Sequence, residues 1–109
     1  MNTYQIKTTE WQSQLDNVSR KLESRKLDID IIGMDIGSQH EANAIVFKGM
    51  AYDPVSDVVE ISSEDFEHRI YSPSAIYLTE EQEHIKSIEI IDGEDRRQII
   101  TFADQLLLS

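Results

Sequence analysis

At 109 residues the chain is the size of one domain and can build a single small core. Ten Lys and Arg stand against 21 Asp and Glu, a formal net charge of −11, and there is no cysteine, which excludes disulfides, thiolate metal sites and a cysteine nucleophile. With 39% hydrophobic and 28% charged residues the composition is that of a globular protein, and no run of about 18 apolar residues offers a membrane span.

The start, MNTYQIKTTEW, lacks the basic segment and apolar stretch of a signal peptide, so the expectation is one soluble cytoplasmic domain over 1–109. The charge is unevenly spread. Residues 1–27 hold five basic side chains (Lys7, Arg20, Lys21, Arg25, Lys26) and three acidic ones, a net +2, while 28–109 hold five basic and 18 acidic, a net −13. A body this acidic repels phosphate backbones and anionic lipid, so neither nucleic acid nor a membrane is an expected partner. The four basic residues from Arg20 to Lys26 are too few to offset it.

Residues 9–25 read as a helix, with Trp11, Leu15, Val18 and Leu22 on one face at 3.6 residues per turn. Thr9 with Gln12 fits a capping box, and Arg20, Lys21 and Arg25 suit the negative end of the helix dipole. Trp11, the single Trp, falls on the core face and not at an exposed anchor position. The period then becomes two: Leu27, Ile29 and Ile31 alternate with Asp28 and Asp30, as in a strand with one wet face. Gly33 and Gly37 bracket a turn. A second strand is expected over 41–52, bent near Gly49, with Ile45 and Phe47 on one face and Ala42, Ala44 and Val46 on the other.

Asp53-Pro54 opens a turn, followed by strands over 58–62 and 66–71 with Ser63-Glu64-Asp65 between them. Ser72-Pro73-Ser74 stops the second of these. A short apolar segment, 75–78, precedes an acidic turn over 79–84. The clearest hairpin joins 85–91 to 96–102 through Asp92-Gly93. The helix face is expected to pack on Ile29, Ile31, Ile45, Phe47, Ile88, Ile90 and Ile100. The apolar tail of 103–109, with Leu106 to Leu108, is expected to dock on its own sheet or on a second copy.

Candidate sites are few. Asp28, Asp30 and Gly33 begin like a calcium loop, but Ile32 and Gln39 stand where oxygen ligands belong, so a strand is the better reading. His40, His68 and His84 are not spaced as zinc ligands. Glu80, Glu81, Glu83 and His84 make at most a loose acidic cluster, and Ser38 with His40 is too close in sequence for a catalytic dyad. Gly33 and Gly37 precede a strand and not a helix, so they form no phosphate cradle. Asn17-Val18-Ser19 matches a glycosylation acceptor but falls inside the helix. No catalytic, cofactor-binding or metal-binding residue is assigned, and no cofactor is expected.

Several pieces in order carry a resemblance. They are the Trp11 helix ending in Ser19-Arg20-Lys21-Leu22-Glu23-Ser24-Arg25, Ile32-Gly33-Met34-Asp35-Ile36-Gly37, Gly49-Met50-Ala51-Tyr52-Asp53-Pro54, Ser72-Pro73-Ser74-Ala75-Ile76-Tyr77 and Ser87-Ile88-Glu89-Ile90-Ile91-Asp92. Through them the chain resembles a family of small bacterial proteins classed as a domain of unknown function. The resemblance implies a small α+β domain and supplies no activity, cofactor or site. Ser72 stands where the family's pattern suggests His before Pro73.

The expected fold is therefore α+β: an N-terminal amphipathic helix packed on a strongly bent antiparallel sheet of five to six strands over 27–102. Helix followed by five strands is also the order of the Sm-like barrel, which is the specific topology expected. The function expected first is a non-enzymatic protein-binding or adaptor module with an acidic surface, its partner a protein or a second copy of itself. The alternatives are a small hydrolase or isomerase using a carboxylate in a barrel mouth, and an acidic mimic of nucleic acid that inhibits a basic protein.

Overall fold

The structure, a computed structural model, describes residues 1–103. It contains β1 (Asn2–Gln5), a 3-10 turn (Thr8–Glu10), α1 (Trp11–Leu22), β2 (Lys26–Gly33), β3 (Gly37–Asp53), β4 (Val58–Ser63), β5 (Glu67–Tyr71), β6 (Ala75–Glu81), β7 (His84–Ile91) and β8 (Arg97–Phe102). The strands form one sheet in the order β1-β6-β7-β8-β2-β3-β4-β5, antiparallel at every pairing.

This corrects the expected architecture. Among the described residues strand accounts for 59% and helical structure, the 3-10 turn included, for 15%, with eight strands and one short α-helix, so the fold is mainly β and not an α+β helix on five or six strands. Nor is it the helix-first order of an Sm-like barrel, because β1 precedes the helix and pairs with β6. Two strands escaped the pattern for physical reasons. Asn2–Gln5 is exposed at every position and so has no apolar alternation. The end of β6 is acidic and reads as a turn by composition. In fact β6 runs to Glu81 and turns through Gln82 and Glu83 alone, both at positive φ (52° and 66°), as a two-residue hairpin requires.

The helix is shorter than 9–25. It starts at Trp11 with no side-chain cap on Glu10, so the Thr9–Gln12 capping box does not form. It ends at Leu22, and Ser24 adopts φ 75° as the chain turns into β2. Trp11, Leu15, Val18 and Leu22 are all buried and join Ile29, Phe47, Ile88, Ile90 and Ile100 in one core cluster, with Ile45 packed against it. Ile31 is buried outside that cluster. The three-leucine tail, Leu106 to Leu108, lies outside the described residues.

β3 bends the sheet. Its first part pairs with β2, its second with β4, and the register shifts between Phe47 and Gly49. α1 packs over β3. The Ser19 hydroxyl accepts the Met50 N–H at 2.8 Å and lies 2.7 Å from the Met50 carbonyl, standing in for a neighbouring strand. A bulge lies further back on β3. Leu27 faces Ile45 and Ile29 faces Ala42, so Asn43 and Ala44 both oppose Asp28. Asp28 Oδ1 accepts the Ala44 N–H at 2.7 Å, and Ala44 takes φ 53°. The extra residue resets the alternation and turns Ala42 into the same core as Phe47, against the expectation that they sit on opposite faces.

Candidate functional site

β1 and β5 end the sheet, so each has one neighbouring strand among the described residues. Which main-chain groups of β5 face outward follows from the hairpin register. The Ser63 N–H donates to Phe66 O at one end, and the Ser72 N–H donates to Asp57 O at the other. Ser63/Phe66 and Asp57/Ser72 are thus hydrogen-bonded pairs, and the alternation between them assigns Ile61/His68 and Val59/Ile70 to the same class. Glu67, Arg69 and Tyr71 therefore turn their N–H and C=O groups toward the free edge. The Tyr71 carbonyl confirms the parity, because it accepts the Gly93 N–H at 3.0 Å from the β7–β8 turn.

A cleft of about 350 Å³ adjoins this edge where the sheet curls back on itself. Its walls are Arg69, Tyr71 and Ser72 from β5 and its exit, and Asp92, Gly93, Glu94, Arg96 and Gln98 from the β7–β8 hairpin. Gly93 permits the close approach: a Cβ there would lie 2.7 Å from Ser72 Cβ. Asp92 and Gln98, 8% and 6% exposed, are the buried polar side chains among the described residues, and both belong to one network. Asp92 Oδ1 accepts the N–H groups of Glu94 (2.9 Å) and Arg96 (3.0 Å), which shapes the turn. Gln98 Nε2 donates to Asp92 Oδ2 at 2.8 Å. That orientation leaves Gln98 Oε1 to accept from His68 Nε2, 2.6 Å away. The relay ties β5 to β8 by side chains.

The rim is charged. Arg69 reaches Glu60 (3.3 Å) and Glu67 (3.1 Å). Arg96 reaches Asp35 at 2.6 Å and Glu94 at 3.5 Å. The Arg96 guanidinium holds the Asp35 carboxyl below the usual carboxylate range. With Asp92, five carboxylates surround two guanidinium groups. Exposed aromatic rings mark the two ends of β5, Phe66 (38%) before it and Tyr71 (61%) at its close.

The residues weighed from sequence are scattered. Asp28 serves the β3 bulge, while Asp30 pairs with His40 at 2.5 Å on the neighbouring strand, which raises the His40 pKa. Asp28 and Asp30 lie on β2, as the apolar alternation required. His84 opens β7 and is exposed. Glu80 and Glu81 close β6, and Glu83 is in the turn. Among the described residues no group of three or more His, Asp or Glu is placed to hold a metal ion. Trp11 is core: its indole N–H donates to Ile6 O at 3.1 Å and its ring meets Tyr52 edge-on at 5.0 Å. Ser19 of the glycosylation triplet is committed to Met50. His68 alone enters the cleft network, through Gln98, 30 positions away, which in turn holds Asp92, 24 positions from His68, a separation no local motif reveals.

Fold and edge together define a mainly β protein with an antiparallel sheet, covered by helix α1, with an open edge strand beside a polar cleft among the described residues. The chain belongs to a family of unknown function, DUF5335, whose model matches residues 2–108. It is 36% identical over 101 residues to a protein of Aquifex aeolicus (strain VF5) described as an uncharacterized protein, covering 92% of this chain and 91% of that one. No solved structure matches. No helix among the described residues is long and apolar enough to cross a membrane.

Proposed function

We propose that this protein is a non-enzymatic protein-binding module and that it docks its partner at the β5 edge and the adjoining cleft. The observation that supports this most directly is the outward ladder of Glu67, Arg69 and Tyr71, held in register at both ends yet met by one main-chain partner, Gly93, among the described residues. Such an edge binds another chain through main-chain hydrogen bonds. The cleft itself looks toward binding and not chemistry. The carboxylate in its wall, Asp92, has both oxygens engaged in shaping the turn and holding Gln98.

The test is site-specific photocrosslinking in the cells that make the protein. A photoreactive residue in place of Tyr71 gives a protein adduct of discrete mass. The same residue in place of Tyr4, at the opposite edge, gives none. Adducts at Tyr4 alone, or at neither position, contradict the reading.

A further inference from the structure

We infer that the partner is an extended, basic polypeptide segment that joins the sheet as a ninth strand along β5. The inference rests on the docking reading above and adds the form and charge of what docks.

The form follows from the backbone. Five main-chain groups face outward on β5: the N–H and C=O of Glu67 and of Arg69, and the N–H of Tyr71, whose carbonyl is already taken by Gly93. They recur every second residue, the spacing at which an adjacent strand offers its own donors and acceptors. A helix hydrogen-bonds its backbone internally and cannot satisfy them, whereas an extended segment can. The edge is also preorganised. Ile70 anchors the inner face of β5 in the core, and His68 is tied to Gln98. An incoming strand therefore orders itself and not its host.

The charge follows from the rim. Arg69 and Arg96 are each already shared by two carboxylates, and Asp92 adds a fifth acid. A partner carboxylate would have to displace one of these, while a lysine or arginine meets acids whose cations are oversubscribed. The net −13 of residues 28–109 acts in the same sense at longer range. It also works against a second copy of this chain, which would bring the same excess.

The probe is a nine-residue peptide alternating lysine and threonine, mixed with the full chain and followed by amide hydrogen exchange and NMR shifts. The expected result is at least a tenfold slowing of exchange at Glu67, Arg69 and Tyr71, unchanged Thr3 and Gln5, and weaker binding as salt rises. A glutamate–threonine peptide gives no protection. A lysine–threonine peptide with alternate backbone nitrogens methylated keeps the charge, loses the donors and binds at least tenfold more weakly. Equal binding of the methylated peptide, equal binding of the acidic one, or no protection by the lysine peptide overturns the inference. If photocrosslinking at Tyr71 succeeds while the lysine peptide fails, strand addition by a basic segment falls and the docking reading stands.

Discussion

β1 and β5 both end the sheet, yet they are held differently. β1 is four residues long, exposed at every position, and is fixed to the core through Ile6 just beyond it. The Ile6 N–H donates to Ile76 O, which by alternation leaves Thr3 and Gln5 facing outward. β5 has Ile70 buried at 1% exposure, hydrogen-bonded hairpin pairs at both ends, and a side-chain relay from His68 to Gln98 and Asp92. An edge is a liability when it is long, flat and free. Here the edge with the less rigid support is the shorter one, and the better-supported edge carries the cleft. The comparison teaches that an open edge suits recognition when its main-chain groups are fixed from behind.

The largest effect should come from loosening that support. Ile70→Ala is expected to cost about 2–5 kcal/mol in urea denaturation, the usual penalty for removing a buried aliphatic side chain. Tyr4→Ala, on exposed β1, should stay within about 0.5 kcal/mol. Equal losses at the two sites would erase the difference between the edges. Next comes the relay. Gln98→Leu keeps the volume but removes the donor to Asp92 Oδ2 and the acceptor for His68, and is expected to cost about 1–3 kcal/mol. Gly93→Ala falls in a similar range, about 1–3 kcal/mol, because its new methyl must push Ser72 away. NMR of either variant should show perturbation at β5 and the β7–β8 turn and none at Thr3 or Gln5.

The smallest effects lie on exposed ion pairs away from the core. His40 should titrate above 6.5, chiefly because Asp30 accepts its hydrogen bond, and Asp30→Asn should bring it down. Since its folded pKa is raised, the stability that His40 contributes is complete below 6.5 and fades as pH rises through the folded value. Asp35 has the opposite sign. Its folded pKa is lowered by Arg96, so its contribution is present above 3.8 and lost as pH falls further. Side-chain NMR titration reads both. A His40 that titrates below 6.5 would mean the Asp30 contact does not persist in solution.

Much of the central sheet was legible because its residues repeat their burial. Leu27, Ile29 and Ile31 alternate with acids, and Ile88, Ile90 and Ile100 mark the inner faces of the last hairpin. The helix face showed for the same reason at period 3.6. What was missed lacks a local signal. β1 has no buried residue to reveal it. Ala44 and the Gln82-Glu83 pair adopt positive φ without glycine or asparagine, so neither the bulge nor the tight turn announced itself. The cleft is illegible for a different reason. His68, Asp92 and Gln98 meet only after β5 curls against β8, and the outward parity of Glu67 and Arg69 is a property of pairing and not of residue type.

The most direct test is residue-resolved amide exchange on the free protein. The structure predicts an alternation along β5: fast exchange at Glu67, Arg69 and Tyr71, slow exchange at His68 and Ile70, whose N–H groups face β4. Uniform protection from Glu67 to Tyr71 would mean the edge is already covered, and uniform fast exchange would mean it is not held. Either result would contradict an open, organised docking edge.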